Sequence, residues 1–206
     1  MTDKLTIRDF LVYFTTGLFL LAMLMYRFGS SLLELFKVTT TDIKDNSALT
    51  IFFLVPVLYI LGHLVHAVNA FLSKIGQYII WFFKKIFSSK PESSRLLWIP
   101  NFFNFVINGN RVKGILNAKK QDKGQFWKRV HKLRYEGKSD NLEYYYLLCD
   151  LHKGLAFICV TSTILYFIEH DRLNTIISAA LAILFWYRAR YMAKQFVAVI
   201  NNTKGL

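Results

Sequence analysis

Residues 154–187 read GLAFICVTSTILYFIEHDRLNTIISAALAILFWY, two apolar runs (154–168 and 175–187) on either side of the polar turn 169–174, EHDRLN. The apolar residues are gathered into blocks rather than spread at helical or strand period, so their natural solvent is lipid. Two such blocks joined by a short charged turn predict a transmembrane helical hairpin. Counting from Asp171, charge is met about eighteen residues back at Lys153 and about nineteen forward at Arg190, so both legs reach it at a similar depth. At about 1.5 Å per residue each leg spans roughly 25 Å, slightly short of a hydrocarbon core of about 30 Å. Lys153, Arg188 and Arg190 accommodate the difference by extending toward the headgroups.

Two further blocks lie upstream. Residues 10–26 (FLVYFTTGLFLLAMLMY) are bounded by Arg8, Asp9 and Arg27; the amino-terminal region is weakly charged and the following RFGSSLLELF offers no convincing small-x-small cleavage site, so the block reads as a retained helix rather than a signal peptide. Residues 49–72 (LTIFFLVPVLYILGHLVHAVNAFL) form the next span, with a kink expected at Pro56, whose ring removes a backbone donor. The fold class is therefore all-α: a polytopic membrane protein with four transmembrane helices and a cytoplasmic helical segment between spans two and three. Three regions are expected. Residues 9–72 form the first helix pair with an outer loop, 73–142 a basic, aromatic cytoplasmic or interfacial segment, and 143–206 the second hairpin with a cytoplasmic tail. In the loop 28–48, Leu32, Leu33, Leu35 and Phe36 suggest a small amphipathic helix on the outer surface.

Composition agrees with this reading. Of 206 residues, 54% are hydrophobic and 19% charged, and the mean hydropathy is +0.31, beyond the balance of an ordinary soluble domain. Aromatic residues at 17% argue against disorder, and only two cysteines, Cys149 and Cys159, argue against a disulfide-stapled secreted fold. Orientation follows from lysine and arginine. If both termini and the central segment share one side, that side holds twenty-two of the 26 cationic residues, leaving Arg27, Lys37, Lys44 and Arg172 opposite. The positive-inside rule then places both termini and the central segment in the cytoplasm, with the chain in the inner (plasma) membrane.

The central segment is too long for a mere connection. Within 73–87 (SKIGQYIIWFFKKIF), Ile75, Tyr78, Ile79, Phe82, Phe83 and Ile86 recur at helical spacing beside Lys74, Lys84 and Lys85, as in an interfacial helix or an extension of span two. After the break at 88–94 (SSKPESS) come the apolar patch 98–107 and the basic amphipathic stretch 125–134 (QFWKRVHKLR), a short helix, turn and helix. Trp98, Phe102, Phe103, Trp127, Lys128, Arg129, Lys132 and Arg134 offer a surface for a protein partner or for the anionic inner leaflet, which attracts basic segments. A net charge of +13 with interleaved aromatics also suits nucleic acid, yet no RNP-like run, zinc-finger spacing or helix-turn-helix signature is present, and direct nucleic-acid binding is not expected.

Polar groups at membrane depth are costly and so are informative. Span two carries His63, His66 and Asn69 along one side, Asp150 and His152 precede span three, and Arg188 and Arg190 close span four. If the spans pack as two hairpins, these sets meet near the inner leaflet. Interhelical hydrogen bonds and headgroup contacts are the plainest reading, and a water-filled vestibule or gate is the functional alternative. A metal site is not expected: HxxH lacks the glutamate of HExxH, and no repeated histidine box occurs. There is no G-x-S-x-G elbow, P-loop or C-x-x-C unit, so neither an enzyme nor a cofactor is expected.

Gly62-His63 with Asn69-Ala-Phe-Leu72, the stretch 143–150 (EYYYLLCD) and Tyr187-Arg-Ala-Arg-Tyr191 resemble small prokaryotic four-span proteins of anti-phage defence, such as the membrane subunit of the Kiwa system or membrane accessories of type VI CRISPR loci. The resemblance covers under a quarter of the chain and carries over no catalytic residue. It implies a homo-oligomeric membrane sensor or anchor that works with a cytoplasmic effector, or else a pore-forming effector that perturbs the membrane.

Overall fold

The computed structural model describes residues 2–35, 47–88, 102, 104–106, 108–109, 111–137 and 140–202. Among them the chain is all-helical: α1 (Thr2–Leu35), α2 (Ser47–Ser88), α3 (Val112–Ala118), α4 (Lys123–Tyr135), α5 (Asp140–Ile168) and α6 (Arg172–Asn202). Three stretches are long and apolar enough to cross a membrane: Phe10–Gly29, Leu54–Phe82 and Leu142–Ile168. The apolar run of α6, closed by Arg172 and Arg188, is shorter than these.

At three boundaries the structure differs from the sequence expectation or selects between its alternatives. First, α1 continues past Arg27 through a kink at Phe28 (φ −124°, ψ 15°), so part of the expected outer loop is helix; Phe36 lies outside the described residues. Second, of the two alternatives for residues 73–87, α2 takes the extension: it is a single helix of 42 residues with Pro56 inside it, and 73–87 continue it. At about 1.5 Å per residue it measures roughly 63 Å, about twice a hydrocarbon core. Third, α5 begins at Asp140 rather than near Gly154. The polar group before Gly154 does not break the helix because it satisfies itself: Lys153 Nζ donates to Asp150 Oδ1 at 2.8 Å, one turn away, and His152 Nδ1–H donates to the Leu148 carbonyl at 2.6 Å.

The chain divides into two compact units, Met1–Ala67 with Gly154–Ile183, and Val68–Lys153 with Leu184–Leu206. In the first, α1 and α2 pack so closely that a methyl on Gly17 would fall on the Leu58 carbonyl oxygen and one on Gly62 on the Tyr13 carbonyl oxygen. Small residues permit such backbone approach, the usual way apolar helices associate in lipid. Ser162 Oγ of α5 lies 2.8 Å from Met23 Sδ of α1, and Thr163 Oγ1 donates to Ser178 Oγ across the α5–α6 hairpin at 3.0 Å. The hairpin turn is made by His170 at φ 60° and by Asp171, whose carboxylate accepts from Asn174 N and Nδ2 and so starts α6.

The second unit has its own apolar core. Val112, Ile115 and Leu116 of α3, Phe126, Val130 and Leu133 of α4, Leu142 and Cys149 of α5, and Met192, Ala193, Phe196, Val197 and Ile200 of α6 are buried together. The Phe196 ring sits 6.0 Å from Phe126 and 5.5 Å from Tyr146. Helix α4 starts where Asp122 accepts from Gly124 N (2.8 Å) and Gln125 N (3.4 Å), and it ends with Lys132 and Arg134 beside its negative pole.

Candidate functional site

The histidines of α2 belong to the first unit, where they meet aromatic side chains of α1. The His63 ring stacks on Tyr13 with centroids 3.7 Å apart and meets Tyr59 edge-on at 4.5 Å. Tyr13 also meets His66 edge-on at 5.1 Å. Thr16 Oγ1 donates to the Val12 carbonyl at 2.8 Å, which leaves a lone pair toward His66 Nε2 at 3.5 Å, an arrangement suited to the Nε2–H tautomer. The same imidazole rests against Gly154 of α5, where a Cβ would come within 2.9 Å of Nε2. His66 is thus wedged among three helices, while His63 keeps an exposed edge. Such a cluster holds helices together through polar and aromatic contacts, and neither ring is placed as a ligand: among the described residues no group of three or more His, Cys, Asp or Glu could hold a metal ion.

The remaining polar residues fall in the second unit. Asn69 is half-buried. Asp150 pairs with Lys153, whose side chain is only 14% exposed, and close by Arg111 donates to Ser73 Oγ. Burial pushes the Arg111 guanidinium below its ordinary value, and the negative charge of Asp150 opposes that shift. Arg111 thus joins the entry to α3 with α2 through Ser73, while Asp150 pairs with Lys153 within α5. The His152 ring lies 6.1 Å from Phe185. Arg188 is exposed and lies over Tyr191 at 5.8 Å, whereas Arg190 is half-buried between Phe105 (4.3 Å) and Trp186 (5.7 Å).

Of the expected partner surface, Trp98 and Phe103 lie outside the described residues. Phe102 is 54% exposed. On α4, Lys128 and Lys132 point to solvent, Trp127 is 36% exposed with its ring 6.4 Å from Phe196, and Arg129 is half-buried. Arg134 turns inward to Glu143 at 3.6 Å, and its Nε is buried without a hydrogen bond. Arg134 therefore joins α4 to α5 within the unit.

Sequence reasoning passed over Tyr13, Thr16, Ser73 and Arg111, because an isolated tyrosine, hydroxyl or arginine carries no spacing signal. No protein-family model matches the chain, and no curated protein or solved structure is significantly similar to it.

Proposed function

We propose that the protein is an inner-membrane anchor or sensor with four spans that presents its second unit to a cytoplasmic protein partner. The observation that carries this reading is the division of labour on α4: Phe126, Val130 and Leu133 close a separate core, while Lys128 and Lys132 face outward beside Trp127. A unit with its own core and a basic, aromatic outer face offers more than topology requires of a connecting loop.

The fourth span is α6. Leu173, Ile176, Ile183, Leu184 and Tyr187 lie along one side of it, all exposed, which suits lipid better than water. Four spans with the basic segment inside keep the charge asymmetry consistent with both termini in the cytoplasm. The exposed apolar side of α2, with Ile60, Leu64 and Phe71, suits lipid or a second copy of the chain, in keeping with a homo-oligomer. A defence role rests on the resemblance to the Kiwa membrane subunit and the type VI CRISPR accessories. The pore-forming alternative needs several copies around a shared axis, since the α1–α2 contact at Gly17 and Gly62 leaves no lumen there. No catalytic role and no cofactor are proposed.

The test is a photo-crosslinking amino acid at position 128 in native membranes. The expected product is an adduct with one soluble cytoplasmic protein that is lost in an Arg129→Glu/Lys132→Glu variant of unchanged abundance. Adducts with lipid or with the chain itself only would overturn the docking reading. Ion flux from proteoliposomes that an exposed-face variant such as His63→Ala alters would favour the pore.

A further inference from the structure

A cavity of about 460 Å³ opens in the second unit between the helical residues 104–106 and 108, α3 and α6. Its polar lining is Asn104, Asn108, Lys119, Arg190 and Lys194, Phe105 forms part of its wall, and among the described residues no aspartate or glutamate lines it. Three cations thus converge on one space, Lys119 from just beyond α3 and Arg190 and Lys194 from successive turns of α6. Among the described residues none of the three is paired with a carboxylate. Like charges drawn together in a partly enclosed space repel, and a bound anion relieves that repulsion.

The lining is also organised in advance. The Arg190 guanidinium is held against the Phe105 and Trp186 rings, and Trp186 Nε1–H in turn donates to the Val106 carbonyl at 2.8 Å. A Cβ at Gly109 would fall 2.2 Å from the Phe105 carbonyl oxygen and 2.8 Å from Arg190 Nη1, so the main chain itself requires glycine beside the guanidinium. The amides are oriented in relay: Gln77 Nε2 donates to Asn108 Oδ1 at 3.0 Å, and Asn108 Nδ2 donates to Asn104 Oδ1 at 2.8 Å. Each amide oxygen is taken by a neighbour, which leaves the N–H groups of Asn104 Nδ2 as donors with no acceptor among the described residues. A guanidinium held between rings, two exposed ammonium groups and amide N–H donors are groups that bind phosphate oxygens.

We infer that this cavity is a binding site for an organic phosphate, with the phosphate held by Lys119, Arg190 and Lys194 and the remainder of the molecule beside Phe105, Asn104 and Asn108. The volume falls in the range of small-molecule sites, about 300–1,000 Å³, and exceeds what a lone phosphate ion fills. The same chemistry is offered by a soluble phosphate ester and by an anionic lipid headgroup. The site is independent of the docking surface on α4.

The experiment uses the full-length protein. In detergent micelles, calorimetric titration is run with ATP, with adenosine and with inorganic phosphate. In nanodiscs of phosphatidylcholine with and without phosphatidic acid, lipid retained by the protein is read by native mass spectrometry. The comparison is between wild type, Lys119→Gln/Lys194→Gln, and Lys113→Gln/Lys123→Gln, which removes equal charge away from the cavity. ATP binding without adenosine binding, weakened about tenfold or more only in Lys119→Gln/Lys194→Gln, supports a soluble phosphate ester. Selective retention of phosphatidic acid, lost in that same variant alone, supports a lipid headgroup. Lys119 and Lys194 are exposed, so the variant folds; Lys194→Gln alone gives the same test with a smaller loss. Binding in neither arm overturns the site, as does binding that the two double variants weaken equally.

Discussion

Gly17 of α1 and Gly62 of α2 face the backbone of each other's helix, Gly17 against the carbonyl of Leu58 and Gly62 against that of Tyr13, with no space for a methyl at either. The obstacle is main chain in both cases and cannot rotate aside. Gly17→Ala and Gly62→Ala are therefore expected to lose about 1–3 kcal/mol or more of stability. At Gly29 of the same helix a Cβ would meet only Met25 Cε at 3.8 Å, an ordinary contact, so Gly29→Ala is neutral or slightly stabilising. Thermal unfolding of the three variants in detergent checks this, and equal midpoints would refute it.

Gly154 meets a movable neighbour instead. A Cβ there would press on His66 Nε2 and Thr16 Cγ2, both at 2.9 Å. Gly154→Ala should destabilise the wild type more than it destabilises a His66→Ala background, with a coupling of about 0.5–3 kcal/mol. A double-mutant cycle by denaturation in mixed micelles reads the coupling, and strict additivity would show that the two do not touch.

Asp171 makes the start of α6 sensitive to pH. The side chain and backbone N–H of Asn174 hold its carboxyl below the usual carboxylate range. A depressed value in the folded state means stability that is fully present above the unfolded carboxyl value of about 3.9 and is lost as pH falls through the lower folded value. Amide exchange in the first turn of α6 should accelerate on acidification within that window in the wild type. In Asp171→Asn, which keeps an acceptor and has no proton to gain, the pH dependence should vanish apart from intrinsic exchange.

On α4, inward and outward residues separate cleanly. Phe126 is 1% exposed, and Phe126→Ala is expected to cost about 3–5 kcal/mol. Lys128→Ala and Lys132→Ala, on the solvent side, should stay within about 0.5 kcal/mol. Denaturation followed by the circular dichroism of the purified protein distinguishes these cases, and a large loss at Lys128 would place it in a structural contact.

Much of the helical framework is legible in the residues themselves. The turn 169–174 announces itself by concentrating charge between apolar runs, and 125–134 by an apolar spacing that returns to Phe126, Val130 and Leu133. The start of α5 is not legible, because Asp150 and Lys153 look like a boundary until their mutual pairing is seen to neutralise them within the helix. The close approach at Gly17 and Gly62 is hidden for another reason: each is a lone glycine, and its meaning lies in the distant backbone of Leu58 or Tyr13 on the other helix. The cavity is hidden likewise, since Asn104, Lys119 and Arg190 share no spacing and converge only through tertiary packing.

The kink at Phe28 falls one residue beyond Arg27, whose guanidinium is held by Glu169 at the α5–α6 turn. The helix is thus tied to the turn just before the place where its dihedrals leave the helical range. A force on residues 29–35 is expected to bend α1 at Phe28, beyond that tie, and to leave the α1–α2 seam at Gly17 in place.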